Sequence, residues 1–305
     1  MAPHTLLMPQ DTVKPWLETI WLFTRSDFKS MIYPNLIFAT IGSLAGSRMT
    51  TDSLPTLSST LYRLPQVFIW LWLNLLLFNI SNQRLPSSVI EDKANKPWRP
   101  IPSGRISIEA SQCLLSWLIP IVLGHAVIIG LEWFSVALLF LTWLYNDMGG
   151  SDGHYFIRNL LNAFGMACYS SGALQIACGS RHHINLNGVY WISMIFTIVL
   201  TTLQVQDLCD QHGDRLKGRK TLPLVMGDAF ARWSVASTVM VWSVQAPIFW
   251  AARLAGWICP MAFGGLLAMK VLCQRNVKAD KASWKMWCLW MISLYSLPLT
   301  GSVRL

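Results

Sequence analysis

Nine stretches rich in apolar residues follow one another along the chain, each close to the roughly 20 residues of helix that cross a bilayer. They cover residues 28–47, 64–83, 108–129, 131–148, 156–178, 187–206, 229–251, 255–273 and 284–302. Inside hydrocarbon every backbone N–H and C=O must be paired within the protein, so such spans are helices. The expectation is an all-α polytopic membrane bundle of about nine transmembrane helices. It forms one domain over residues 1–305, with 1–27 as a cytosolic N-terminal segment. Charged residues make up only 13% of the sequence, against about 25% in soluble domains. Only the Gly130 region separates the third stretch from the fourth, which calls for a tight hairpin. Pro34, Pro120, Pro247 and Pro260 fall inside spans, where neighbouring helices must satisfy the carbonyls they free.

A net charge of +9 is compatible with nucleic-acid binding, but the basic residues sit in short loops between apolar stretches. Cytosolic retention of Lys and Arg explains that pattern without a nucleic-acid partner. Arg84, Lys93, Lys96, Arg99 and Arg105 follow the second stretch, and Arg215, Lys217, Arg219 and Lys220 follow the sixth. Arg275, Lys278 and Lys281 follow the eighth, and the odd-numbered loops are poorer in charge. The even-numbered loops and the N-terminus are therefore expected in the cytosol and the C-terminus in the lumen. Residues 1–16 are too polar for a cleavable signal peptide, so the first span is expected to direct insertion. The seven cysteines show no paired metal-ligand spacing and imply no disulfide framework.

Residues 207–223 read DLCDQHGDRLKGRKTLP. Asp207, Asp210 and Asp214 recur at i, i+3 and i+7, so on a helix they share one face. Three acids stacked at the end of a membrane span are costly unless cations occupy them. The segment is thus a candidate for a divalent metal and, through the metal, for a phosphate-bearing ligand. Residues 79–107, NISNQRLPSSVIEDKANKPWRPIPSGRIS, form a second polar loop on the same membrane face. It joins Glu91 and Asp92 to Lys93, Lys96 and Arg99, and Pro97, Pro100 and Pro102 stiffen its second half, as suits a fixed binding loop. Carboxylates suit Mg²⁺, which takes ligand phosphates in its remaining positions, while Lys and Arg meet the outer phosphate oxygens.

At these residues the chain resembles the UbiA superfamily of intramembrane prenyltransferases. EDKANKPWRPIPSGRIS, 91–107, is similar to the family's first motif and its trailing residues, and QDLCDQHGDRLKGRKTLP, 206–223, to the aspartate-rich second motif. The resemblance implies a UbiA-like helix bundle that uses Mg²⁺ and a prenyl diphosphate substrate. It implies catalytic and metal-binding roles for Asp210 and Asp214, with Asp207 a further ligand and Asp92 the last acid of the first motif. Glu91 and Asn82 are further metal candidates. Lys96, Arg99, Lys217 and Arg219 are the implied diphosphate contacts. The first motif departs from the family pattern, because counting back from Asp92 places Ser88 at its middle acid and Arg84 at its leading Asn. The basic residue usual after Tyr145 is also missing.

Together with YND at 145–147 and NLLNAFG at 159–165, the altered first motif resembles the fungal branch of membrane-bound terpene cyclases. That resemblance implies a class I-type cyclase of fungal secondary metabolism, which ionises farnesyl diphosphate with Mg²⁺ and closes it to a sesquiterpene. It would be a multi-pass protein of the endoplasmic reticulum with its active-site loops toward the cytosol. The alternative is a prenyltransferase acting on an aromatic or polyketide acceptor. A transporter would place its ionisable residues near the bilayer midplane, whereas these acids crowd at one interface. Aromatic faces can stabilise a carbocation; Phe78, Trp143, Tyr145, Phe164 and Tyr169 lie near the motif side, and Asn162 is a polar cavity candidate. The sequence does not specify an oligomeric state.

Overall fold

Helix follows apolarity along the chain in the computed structural model, which describes residues 13–301. Helices α1 (Val13–Thr24), α2 (Tyr33–Leu44), α3 (Leu57–Gln83), α4 (Pro86–Asn95) and α5 (Ile108–Ile128) come first. They are followed by α6 (Glu132–Asn146), α7 (Tyr155–Cys178), α8 (Leu186–Thr202), α9 (Asp207–Lys217) and α10 (Leu222–Val225). The last four are α11 (Asp228–Phe249), α12 (Leu254–Cys273), α13 (Val277–Tyr295) and α14 (Leu297–Thr300). Among the described residues the extended structure is one isolated bridge, Thr50 with Ile184.

Polar residues set the helix starts. The side chains of Thr56, Ser107, Asn185 and Asn276 accept the backbone N–H three residues ahead, capping α3, α5, α8 and α13. Gly130, at φ +70°, makes the expected hairpin between α5 and α6.

A helix occupies each of the nine expected stretches, with differences at their ends. The first stretch opens with a π-helical turn at Phe28–Ile32. Pro34 stands in the first turn of α2, directly after this π-helical turn. Pro65, ahead of most of the second apolar stretch, lies inside α3 because the Thr56 cap starts that helix early. Residues 86–95 form a helix where a fixed loop was expected; Pro86 in its first turn suits helix initiation. By length and apolarity alone, Leu57–Gln83, Ile108–Ile128, Leu186–Val205 and Leu254–Cys273 could cross a membrane. Among the others, α2 and α6 are too short, at 12 and 15 residues, so length and apolarity by themselves do not yield a count of nine. Of the expected N-terminal segment, residues 1–12 lie outside the described residues, as does residue 302 of the last span.

Lipid tails are as apolar as leucine, so polar contacts and close packing hold membrane helices together. Here three buried indoles each find a hydroxyl on another helix. Trp70 Nε1 donates to Ser135 Oγ at 3.0 Å, Trp287 to Thr202 at 3.0 Å and Trp290 to Ser243 at 2.9 Å. Between α2 and α7, Ser170 Oγ donates to Asn35 Oδ1 at 2.8 Å. Arg232 of α11 forks onto Asp280 of α13 at 2.8 and 2.9 Å and also reaches the Val271 carbonyl of α12, tying three helix ends together.

Gly172 of α7 lies against the Trp70 ring, and an added Cβ would overlap the indole. Trp70 is fully buried and held by Ser135. Gly172→Ala should therefore destabilise the bundle by about 1–3 kcal/mol, seen as a lower thermal midpoint in detergent. An unchanged midpoint would mean that the α3–α7 contact is looser than described.

Candidate active site

Helices α4 and α9 carry the two polar motifs and pack against each other, so the structure brings together segments over a hundred residues apart. Gly213 lies where α9 meets Asn95 of α4, and an added Cβ would overlap the Asn95 amide. A short 3-10 turn, Leu203–Val205, turns the chain from α8 into α9. Gly218 then ends α9 in the left-handed region, φ +77°. That turn folds Arg219 back over the helix, where its backbone N–H reaches the Asp214 carbonyl.

Arg219 is the junction of the site. Nη1 meets Asp214 at 2.7 Å, Nη2 meets Glu91 at 3.0 Å, and Nε donates to Asp152 at 3.1 Å. One guanidinium thus joins α9, α4 and the α6–α7 loop. Arg158, one turn into α7, lies 3.0 Å from Asp207. Arg99 Nη1 donates to both oxygens of Asp92, at 2.8 and 3.0 Å, and Nη2 reaches Ser26 at 3.1 Å.

These groups line a cavity together with apolar and aromatic side chains. Its charged and amide lining includes Asp27, Asn82, Glu91, Lys96, Arg99, Arg158, Asp210 and Arg219. Its apolar and aromatic lining includes Met31, Phe78, Tyr145, Met166, Tyr169 and Trp287. Phe78 and Tyr145 lie with ring centroids 5.5 Å apart, and Trp284 stacks on Trp287 at 4.9 Å.

The expected site residues divide into two groups. Asp210, Glu91, Asn82, Lys96, Arg99, Arg219, Tyr145, Asn162 and Phe78 line the cavity. Asp207 and Asp214 lie behind the wall, fully buried and held by Arg158 and Arg219. Asp92 is also behind it, held by Arg99. Lys217 donates to Ser88 at 3.0 Å and lies 3.3 Å from Asp152. Asn82 donates to Asn146 at 2.8 Å, and Asn162 to the Arg158 carbonyl at 3.0 Å. Arg84, in the place of the family's leading Asn, is paired with Asp147. Trp143 and Phe164, expected as cavity aromatics, are each 46% exposed and face outward.

Arg158, Asp27, Asp152 and the Trp284–Trp287 stack were not singled out from the sequence. Arg158 had a readable signal, since a lone cation one turn inside an apolar stretch marks a functional position. The tryptophans had none, because their spacing is that of any packed helix.

Burial dominates the electrostatics. It pushes the Asp207 carboxyl up to about 7 despite Arg158, and the neighbouring Asp214 charge adds to the rise. Burial likewise raises Asp214 and Asp92 against the pull of Arg219 and Arg99. At Glu91 burial works upward too, but Arg219, Lys217, Lys96 and Arg99 together hold it below the usual range. Burial lowers Lys217, with Arg219 adding to the effect. Among the described residues no three acidic, His or Cys side chains converge closely enough to hold a metal ion as they stand. Arginines hold Asp207 and Asp214, yet Asp214 Oδ2 is buried without a hydrogen-bond partner. Hard oxygen donors left incompletely neutralised are a donor set that suits Mg²⁺.

Comparison with known proteins bears on the family and the fold. The model of the UbiA prenyltransferase family matches residues 36–294. The fumagillin beta-trans-bergamotene synthase af520 of Aspergillus fumigatus is 27% identical over 95% of this chain and 94% of its own length. The somaliensene A/B synthase of Streptomyces somaliensis is 28% identical, over 99% of this chain and 98% of its own. A UbiA homologue from Archaeoglobus fulgidus, solved with GPP and Mg²⁺, shares the fold at a TM-score of 0.60 and 13% identity. That alignment covers 92% of this chain and all of the homologue.

A carboxyl raised on folding holds its proton more tightly in the folded chain. Its contribution is full below the unfolded value of about 3.9 and is lost as pH rises through the folded value of about 7. In protein stripped of divalent cations, the thermal midpoint of the unaltered chain relative to that of Asp207→Asn should therefore fall between about pH 4 and pH 7. A difference that stays flat across this window would contradict the burial of Asp207.

Proposed function

The chain belongs to the UbiA prenyltransferase family, and on that premise we propose that it is a membrane-bound, Mg²⁺-dependent terpene cyclase that closes farnesyl diphosphate to a sesquiterpene. It is an enzyme of the prenyltransferase and terpene cyclase superfamily and a membrane protein. The observation that carries the reading is a cavity lined both by ionic side chains and by apolar and aromatic ones. A prenyl diphosphate has the same two-part chemistry.

Lys96, Arg219 and Arg99 line the cavity, Arg99 held by Asp92. Their charges stabilise the negative charge that grows on the diphosphate as its bond to carbon breaks. Lys217, through Glu91 and Asp152, adds to the positive field of this wall. Mg²⁺ bound by Asp207, Asp210 and Asp214, with Glu91 of α4 and Asn82 of α3, would supply further neutralisation of the leaving group. The Phe78, Tyr145, Tyr169 and Trp287 faces stabilise the allylic cation and exclude water from it. The chain's own distal double bond then attacks, and loss of a proton ends the sequence.

The altered first motif supports cyclisation over transfer. Ser88 occupies the position of the motif's middle acid and accepts a hydrogen bond from Lys217. The curated relatives described above are both named as synthases of terpenes. By the charge of its loops the site opens to the cytosol, and a fungal enzyme of this kind would reside in the endoplasmic reticulum.

Microsomes carrying the protein, given farnesyl diphosphate and Mg²⁺ without an acceptor, should release a volatile hydrocarbon. Substrate consumed only after an aromatic or polyketide acceptor is added would establish a transferase instead. EDTA should stop turnover and Mg²⁺ restore it. Asp210→Ala, which removes the α9 acid that lines the cavity, should lower turnover by at least about a thousandfold, the scale of about 4 kcal/mol of lost electrostatic stabilisation. Turnover within tenfold of the unaltered protein would remove Asp210 from the site.

A further inference from the structure

Arg158 is the cation that the mechanism above leaves without a task. It is 6% exposed and lines the cavity. Its Nη2 is ion-paired with Asp207 Oδ1 at 3.0 Å, but that oxygen has no hydrogen-bond partner, and Nε and Nη1 are likewise buried without one. A guanidinium is a rigid fork of five donors, and buried donors left unpaired are costly in the absence of a ligand. Arg219, Lys96 and Arg99 line the same cavity, so Arg158 adds a fourth cation to a lining whose carboxylates are Asp27, Glu91 and Asp210. An anion with several oxygens placed among these cations would satisfy the free donors and screen the like charges. A planar fork suits such an anion better than an ammonium does.

We propose that Arg158 binds the diphosphate of the substrate and couples it to the metal, because the guanidinium that turns to the phosphate oxygens releases the Asp207 carboxylate to the cation. The proposal rests on the reading of this cavity as a prenyl diphosphate site. It assigns a second role to the ion pair: without ligand, Arg158 occupies the acid that a metal needs. Diphosphate and divalent cation then bind better together than either does alone, and the linkage is reciprocal.

The test uses the full chain in detergent, with inorganic diphosphate and Mn²⁺ as probes and Mn²⁺ binding followed by its paramagnetic resonance. In the unaltered protein, saturating diphosphate should tighten Mn²⁺ binding by roughly tenfold or more, the scale of coupling between linked sites. Arg158→Gln should weaken diphosphate binding by roughly tenfold, as expected for lost hydrogen bonds to a charged group, and remove most of the linkage. Arg158→Lys should restore part of the affinity. Asp207→Asn supplies the complementary variant if Arg158→Gln does not fold. It leaves Arg158 free, so diphosphate should bind without Mn²⁺ at least as tightly as in the unaltered protein, and Mn²⁺ should add little. A folded Arg158→Gln protein with unchanged diphosphate affinity and linkage overturns the proposal. So does an Asp207→Asn protein whose metal-free diphosphate affinity falls. Failure of the unaltered protein to bind diphosphate at all sinks the functional reading itself, whereas binding that Arg158→Gln leaves intact sinks only this inference.

Discussion

The burial of carboxylates against arginines at one membrane interface governs the rest of this structure. Asp92, Asp207 and Asp214 are nearly inaccessible, and each has its own guanidinium in Arg99, Arg158 and Arg219. Taking such charges out of water is expensive, and pairing recovers the cost only where geometry and further hydrogen bonds are good. Arg219 meets that condition by bonding to three segments at once. Asp207 meets it poorly, which is why its carboxyl rises to about 7. An imperfectly neutralised cluster of this kind is stable enough to fold and unsatisfied enough to bind.

The bundle supports that cluster by keeping its neighbours fixed. Indole-to-hydroxyl bonds link α3 to α6 and α13 to both α8 and α11. The Arg232–Asp280 fork anchors α11 and α13 near the same end. The tryptophans of α13 therefore both pack the bundle and, at Trp284 and Trp287, form part of the cavity wall. A wall held this firmly can present aromatic faces to a reactive cation without admitting water.

Much of this was legible in the sequence. Apolar stretches and the Gly130 hairpin pointed to the helices, and the i, i+3, i+7 acids fall on α9, where Asp210 lines the cavity while Asp207 and Asp214 are buried behind it. Loop charge placed α4 and α9 on one side, where they do pack together. Pairing was not legible: nothing in the spacing says that Asp92 is held by Arg99 or that Ser88 accepts from Lys217. Long-range partners such as Arg158 for Asp207 depend on how helices meet, and a one-dimensional pattern does not carry that. For the same reason Trp143 and Phe164 read as cavity aromatics but face outward, since which side of a helix faces the core is set by its neighbours.

A structure of the protein with Mg²⁺ and a non-hydrolysable farnesyl thiodiphosphate tests the central claim most directly. The expected result is the diphosphate among Lys96, Arg219 and the α9 acids, with the prenyl chain folded toward Phe78, Tyr145 and Trp287. A diphosphate bound away from α9, or a prenyl chain lying outside the cavity that Phe78, Tyr145 and Trp287 line, would contradict it.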